Sequence, residues 1–114
     1  MAVVNINVDN DADFYRGFLY QTLAGDPVDL TGASFVMMLR RHAKDAVAYL
    51  SLTTENGEIV IIDPKGGSFT IRITQQQLEE LTLGSYDQSL VMTMGGVKQQ
   101  LWSGTIIINP GPSR

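Results

Sequence analysis

The chain has no cysteine, which excludes disulfides, thiolate nucleophiles and sulfur-ligated zinc. Histidine occurs once, at His42, so HExxH and multi-histidine metal sites are excluded and any Ser-His-Asp arrangement has one possible base. Basic residues are few, and the formal net charge of −4 argues against a nucleic-acid module, which needs clustered Lys and Arg. No apolar run approaches the roughly 18 residues of a membrane helix. The N-terminus lacks the basic start and apolar stretch of a signal peptide, so the expectation is a protein made in a cytosol and not inserted in a membrane.

What is present is enough for one core. At 114 residues the chain has the length of one domain, and 44% apolar residues rule out the low hydrophobicity of disordered chains. A single domain over 1–114 is expected, with 1–13 forming an N-terminal strand and acidic loop available as an assembly arm. The charge is unevenly placed. Residues 1–31 hold Asp9, Asp11, Asp13, Asp26 and Asp29 against Arg16 alone, so they carry the whole net charge.

Alternation of period two runs through most of the chain and predicts an all-β fold of about seven to nine short antiparallel strands, a sandwich or small barrel. Val4, Ile6 and Val8 mark a first strand, and Phe14 to Leu23 a second with large residues on both faces. Asp26-Pro27 to Gly32 is a turn-rich segment. Ser34 to Arg41 and about Val47 to Thr53 follow, then Asn56-Gly57, Glu58 to Ile62, and the clean alternation of Phe69, Ile71 and Ile73. At Thr74-Gln75-Gln76-Gln77 the pattern becomes a capping box, and Leu78 and Leu81 share one helical face, which predicts one short helix near 75–82 ended by Gly84. Tyr86 to Met94 and Lys98 to Ile108 flank the hairpin signal Gly95-Gly96.

Chemical motifs are weak. Asp9-Asn10-Asp11-Ala12-Asp13 opens like a calcium loop, but Phe14 stands where the loop needs glycine and Tyr20 where it needs glutamate. Arg40, Arg41, His42 and Lys44 form a basic cluster that reads as a charged hairpin end or a contact for an acidic partner. Flanking positive charge makes His42 a poor base. Gly66-Gly67 and Gly95-Gly96 lack the GKS/GKT sequence of a phosphate loop. No cofactor, metal site or catalytic residue is assigned, and no enzyme is expected. A more informative pattern is consecutive apolar residues at Val36-Met37-Met38-Leu39, Ile59-Val60-Ile61-Ile62, Leu90-Val91-Met92 and Ile106-Ile107-Ile108, which sends apolar side chains to both faces of their strands.

The ordered set Asp29-Leu30-Thr31-Gly32, Phe35-x-Met37-x-Leu39-Arg40, Leu52-Thr53-Thr54-Glu55-Asn56-Gly57, Gly67-x-Phe69-x-Ile71-x-Ile73, Leu78-x-x-Leu81-x-x-Gly84-x-Tyr86-Asp87 and Gly104 before Pro110-Gly111 resembles a family of small phage and prophage virion proteins. It is similar over about residues 14–114 to the N-terminal β-sandwich domain of phage baseplate upper proteins. The resemblance implies an immunoglobulin-like sandwich that acts by assembly in the tail, baseplate or collar region of a virion built in the host cytoplasm. Implied partners are other virion proteins or copies of itself in a homo-oligomer. Alternatives are a capsid decoration protein and a carbohydrate-binding module on a tail tip, the latter using Tyr15, Tyr20, Tyr49 and Trp102. Candidate assembly contacts are the charged rims Asp9, Asp11, Asp13, Arg40, Arg41 and Lys44, with Tyr86, Trp102 and Ile107 as anchors.

Overall fold

Alternation along each strand sorts side chains onto an inner and an outer face, and the inner sets meet as the two layers of a β-sandwich. A computed structural model of the chain describes residues 2–22, 24–46 and 48–112. Within them the order is β1 (Ala2–Val3), β2 (Ile6–Asp9), β3 (Phe14–Leu19), β4 (Ser34–Arg40), β5 (Leu50–Thr53), β6 (Ile59–Asp63), β7 (Ser68–Ile73), α1 (Gln75–Glu80), β8 (Gly84–Met94) and β9 (Val97–Asn109). The larger sheet runs β9-β8-β4-β5, with β1 and β2 both parallel to the outer side of β9. The smaller sheet runs β3-β7-β6 and is antiparallel throughout.

Phe35, Met37 and Leu39 of β4, Tyr86 and Leu90 of β8, and Ile106 and Ile108 of β9 fill the inner face of the larger sheet, and all are essentially inaccessible. Phe69, Ile71 and Ile73 of β7 answer them from the smaller sheet. Aromatic rings join the layers. Phe69 lies 4.7 Å from Phe35, and Phe18 lies 4.9 Å from Trp102, between ring centroids, within the range of favourable ring contacts.

The connections follow from turn chemistry. Gly95 and Gly96 both take positive φ, as the tight β8–β9 hairpin requires. In the crossing from β3 to β4, Thr31 donates to Asp29 Oδ1 from Oγ1 at 2.6 Å and from N at 2.9 Å, while Leu30 is fully buried between the sheets. The capping box is present: Gln77 N donates to Thr74 Oγ1, and Thr74 N donates to Gln77 Oε1. After α1, Tyr86 Oη donates to Thr82 O at 2.6 Å, which closes a tyrosine corner and fixes where β8 begins.

Three expectations change. The first strand is two: at Val4 and Asn5 the chain leaves the ladder and settles against Gly104, where a Cβ would overlap the Val4 carbonyl. Gly84 does not end the helix, which stops with Leu81 in an extended conformation. Its φ of 123° instead opens β8, close against the Arg41 guanidinium. The β5 strand begins at Leu50; Val47, where it was expected to start, lies outside the described residues, as does Leu23 at the end of the second expected strand.

Candidate functional site

The outward-facing half of β4 and β8 forms a concavity. Val36 and Met38 alternate with the buried Met37 and Leu39, and Val91 lies opposite Val36 in the β4–β8 register. These three apolar residues line a groove of about 470 Å3 on the outer face of the larger sheet, with Gln100 and Ser103 of β9 on its far side. That size lies within the range of roughly 300–1,000 Å3 typical of binding clefts. A register shift between Leu90 and Val91 adds a residue to β9 and bends the hairpin arm beside the groove.

One end of the groove is charged. Arg40 and Asp87 face each other across the β4–β8 ladder, and both line the cleft. Each also holds the 41–45 turn in place. Arg40 Nη1 donates to Asp45 O at 3.0 Å, and Asp87 Oδ2 accepts from Ala43 N at 2.9 Å. An apolar floor with one cation and one anion at its end can receive a protruding apolar side chain and a backbone or side-chain polar group beside it. No histidine lines the groove.

The other sequence-derived candidates lie apart from the groove. Arg41 donates from Nη1 to Ser85 O at 2.9 Å and from Nη2 to Leu83 O at 3.0 Å, with its guanidinium 4.3 Å from the centre of the Tyr86 ring. It pins the start of β8. Lys44 and His42 are exposed on the turn. Tyr86 and Trp102 belong to the chain's own core: Trp102 Nε1 donates to Gln88 Oε1 at 2.9 Å, and Gln88 Nε2 donates to Val4 O at 2.8 Å. Ile107 is half-buried between Asn7 and Ser85 in the register of β9.

The acidic loop has structural tasks. Asp13 Oδ1 accepts from Gln75 N at 2.6 Å and so caps α1, Asp11 packs against Gly111, and Asn10 Oδ1 accepts from Gly111 N at 2.9 Å. Asp9 is exposed at the end of β2. Further along, Asp29 has its carboxyl held below its ordinary value, first by the Thr31 hydroxyl bond and then by the Thr31 backbone N–H. Among the described residues no group of three or more His, Cys, Asp or Glu is placed to hold a metal ion. Of the aromatics considered for sugar binding, Tyr15 and Tyr49 are exposed, Tyr20 is half-buried and Trp102 is buried. None of them lines the groove.

Residues that the sequence reading missed are Gln88, which bridges Trp102 to the β1–β2 break, and Asp87, which shares the groove with Arg40. Gln88 was hidden because a polar residue in an alternating strand reads as outward-facing, and Asp87 because only the β4–β8 register sets it against Arg40.

The facing of a β9-β8-β4-β5 sheet on a β3-β7-β6 sheet and the tyrosine corner define an immunoglobulin-like β-sandwich. Among solved structures, the N-terminal domain of phage TP901-1 ORF48 is similar, with a TM-score of 0.50 and 14% identity, over 95% of this chain and 85% of that one. A chain of the ZIG-8–RIG-5 IG1–IG1 heterodimer is similar with the same TM-score and 8% identity, over 95% of this chain and 83% of that one. No protein-family model matches the chain, and no curated protein matches its sequence.

Proposed function

We propose that the chain is a bacteriophage virion structural protein of the tail, baseplate or collar region, which acts by protein–protein assembly and not by catalysis. The observation that carries this reading is the likeness to the N-terminal domain of phage TP901-1 ORF48 across nearly the whole fold. Surface chemistry supports it. Val36, Met38 and Val91 face outward on the larger sheet, and Tyr15, Leu19, Val60 and Ile62 do so on the smaller one, so apolar side chains stand on both outer faces. The neighbours are other virion proteins or further copies of the chain.

The test is its presence in particles. Mass spectrometry of purified virions from a phage that encodes the chain is expected to detect it in fixed ratio to the tail proteins, and a labelled antibody to place it at the tail. Its absence from intact particles would overturn the reading, and label distributed over the head would replace the tail assignment with decoration of the capsid.

A further inference from the structure

The strand order leaves one place vacant. In the constant-type immunoglobulin plan the first strand lies beside the second in a four-stranded ABED sheet. Here β1 and β2 both pair with β9, and β3 has β7 on one side and no strand on the other among the described residues.

The register identifies the backbone groups at that free edge. Tyr20 N donates to Gly67 O across the continuation of the β3–β7 ladder, and Arg72, opposite Tyr15, donates its N–H to Glu58 O on the β6 side. Alternate residues of an antiparallel strand direct their backbone groups to opposite sides. Phe14, Arg16 and Phe18 therefore face β7, while Tyr15, Gly17 and Leu19 face outward from the sheet.

Side chains on the same edge are apolar above and below. Tyr15 and Leu19 are 64% and 57% exposed on the outer face, and Phe14 and Phe18 are only partly covered on the inner face. Arg16 lies between them, exposed, with its guanidinium 5.5 Å from the Phe14 ring centre. Where the strand begins, Asp9, Asp11 and Asp13 share with Phe14, Tyr15 and Arg16 a concavity of about 340 Å3.

We propose that the free edge of β3 receives an extended segment of another polypeptide, apolar at alternate positions and basic at the end against the 9–13 loop. It adds as a fourth strand to the β3-β7-β6 sheet. Backbone bonds to Tyr15, Gly17 and Leu19 hold it, and its alternating side chains cover Phe14 and Phe18 on one side and lie beside Tyr15 and Leu19 on the other. A second copy of β3 is a poorer occupant. Its one base, Arg16, already lines the same concavity as its own Asp9, Asp11 and Asp13, and the pairing sets two segments of charge −4 side by side. The inference rests on the strand topology and stands whether or not the chain belongs to a virion.

Two synthetic peptides of alternating threonine and valine serve as probes, one ending in two lysines and the other in two aspartates, with binding read by fluorescence anisotropy. The proteins are wild type, Gly17→Ala and Gly17→Pro. A Cβ at Gly17 meets only Thr70 Cγ2 at 4.0 Å, so the alanine is accommodated, and the proline removes an N–H that points away from the sheet. The lysine peptide is expected to bind wild type and Gly17→Ala alike and Gly17→Pro about tenfold more weakly, since a backbone bond is lost and the ring occupies the approach. The aspartate peptide is expected to bind wild type about fivefold more weakly than the lysine peptide. Amide hydrogen exchange on the wild type keeps the test independent of whether the proline variant folds: the lysine peptide should protect Tyr15, Gly17 and Leu19. No saturable binding, equal binding to a folded Gly17→Pro, equal binding of both peptides, protection at a different edge, or self-association that protects these same amides without peptide would each overturn the proposal.

Discussion

Gly104→Ala is the sharpest test of how the N-terminal segment is held. The Gly104 Cβ position lies within the Val4 carbonyl, whose carbon is 2.8 Å away, and 2.9 Å from Asn5 Oδ1, all parts of the break between β1 and β2. The break must move outward, at an overpacking cost of about 1–3 kcal/mol. Movement also breaks the Gln88 Nε2 to Val4 O bond of 2.8 Å and the Thr105 N to Asn5 Oδ1 bond of 3.1 Å. Gln88 is 4% exposed and keeps only a long bond of 3.5 Å to Thr105 O, so the loss of Val4 O adds about 1 kcal/mol. The sum is about 3 kcal/mol against a typical domain stability of about 5–15, so the variant folds but melts about 12 °C lower at roughly 4 °C per kcal/mol. Urea unfolding of wild type and variant measures the difference. On a Gln88→Met background the Val4 bond is already gone, and the same substitution should cost about 1 kcal/mol less. A loss below about 0.5 kcal/mol in Gly104→Ala, or full additivity with Gln88→Met, would refute the coupling of Gly104, Val4 and Gln88.

Tyr86→Phe removes the bond to Thr82 O and is expected to cost about 1 kcal/mol in urea unfolding, the usual net worth of one part-buried hydrogen bond. Thr31→Val removes the main cause of the lowered Asp29 pKa, so a carboxyl titration by NMR should show it moving up toward the ordinary 3.8. The sign follows from linkage. A carboxyl with a lowered folded-state pKa contributes stability fully above its unfolded value and loses it as pH falls through the folded one, so the wild type should lose this contribution below about pH 3.8 and the variant should have less to lose. Asp13→Ala deletes the acceptor of Gln75 N and should cost about 1 kcal/mol, whereas Asp13→Asn keeps an acceptor and should cost about half of that or less. Equal losses in thermal unfolding would assign the effect to charge and not to the cap.

Local chemistry was legible and long-range pairing was not. The capping box at Thr74 and Gln77, the Gly95-Gly96 hairpin and the alternation of Phe69, Ile71 and Ile73 depend on neighbours in sequence, and the structure places all three where the pattern predicts. The break at Val4-Asn5 is invisible in the sequence, because Val4, Ile6 and Val8 alternate without interruption. Its cause, Gly104, lies 100 residues along the chain. Tyr86 and Trp102 read as interface anchors because aromatic rings suit both interfaces and cores. Only the partner atoms, Thr82 O and Gln88 Oε1, show that this chain uses them inside. The groove was partly legible: the run Val36-Met37-Met38-Leu39 implied an outward apolar pair, but the meeting of Arg40 with Asp87 depends on the β4–β8 register.

The acids of the 9–13 loop and the apolar residues of β3, which are separate features in the sequence, lie beside one another in the fold. Asp13 uses one oxygen to cap α1, Asp29 closes its own turn through Oδ1, and Asp11 packs on Gly111. Asp9, Asp11 and Asp13 line one concavity with Phe14, Tyr15 and Arg16. β3 follows that loop directly with Tyr15 and Leu19 outward, Phe14 and Phe18 half covered, and no strand beside it among the described residues. With β1 and β2 both paired to β9, the edge of β3 has no strand beside it among the described residues, and the 9–13 acids, outward backbone groups and apolar side chains lie together there.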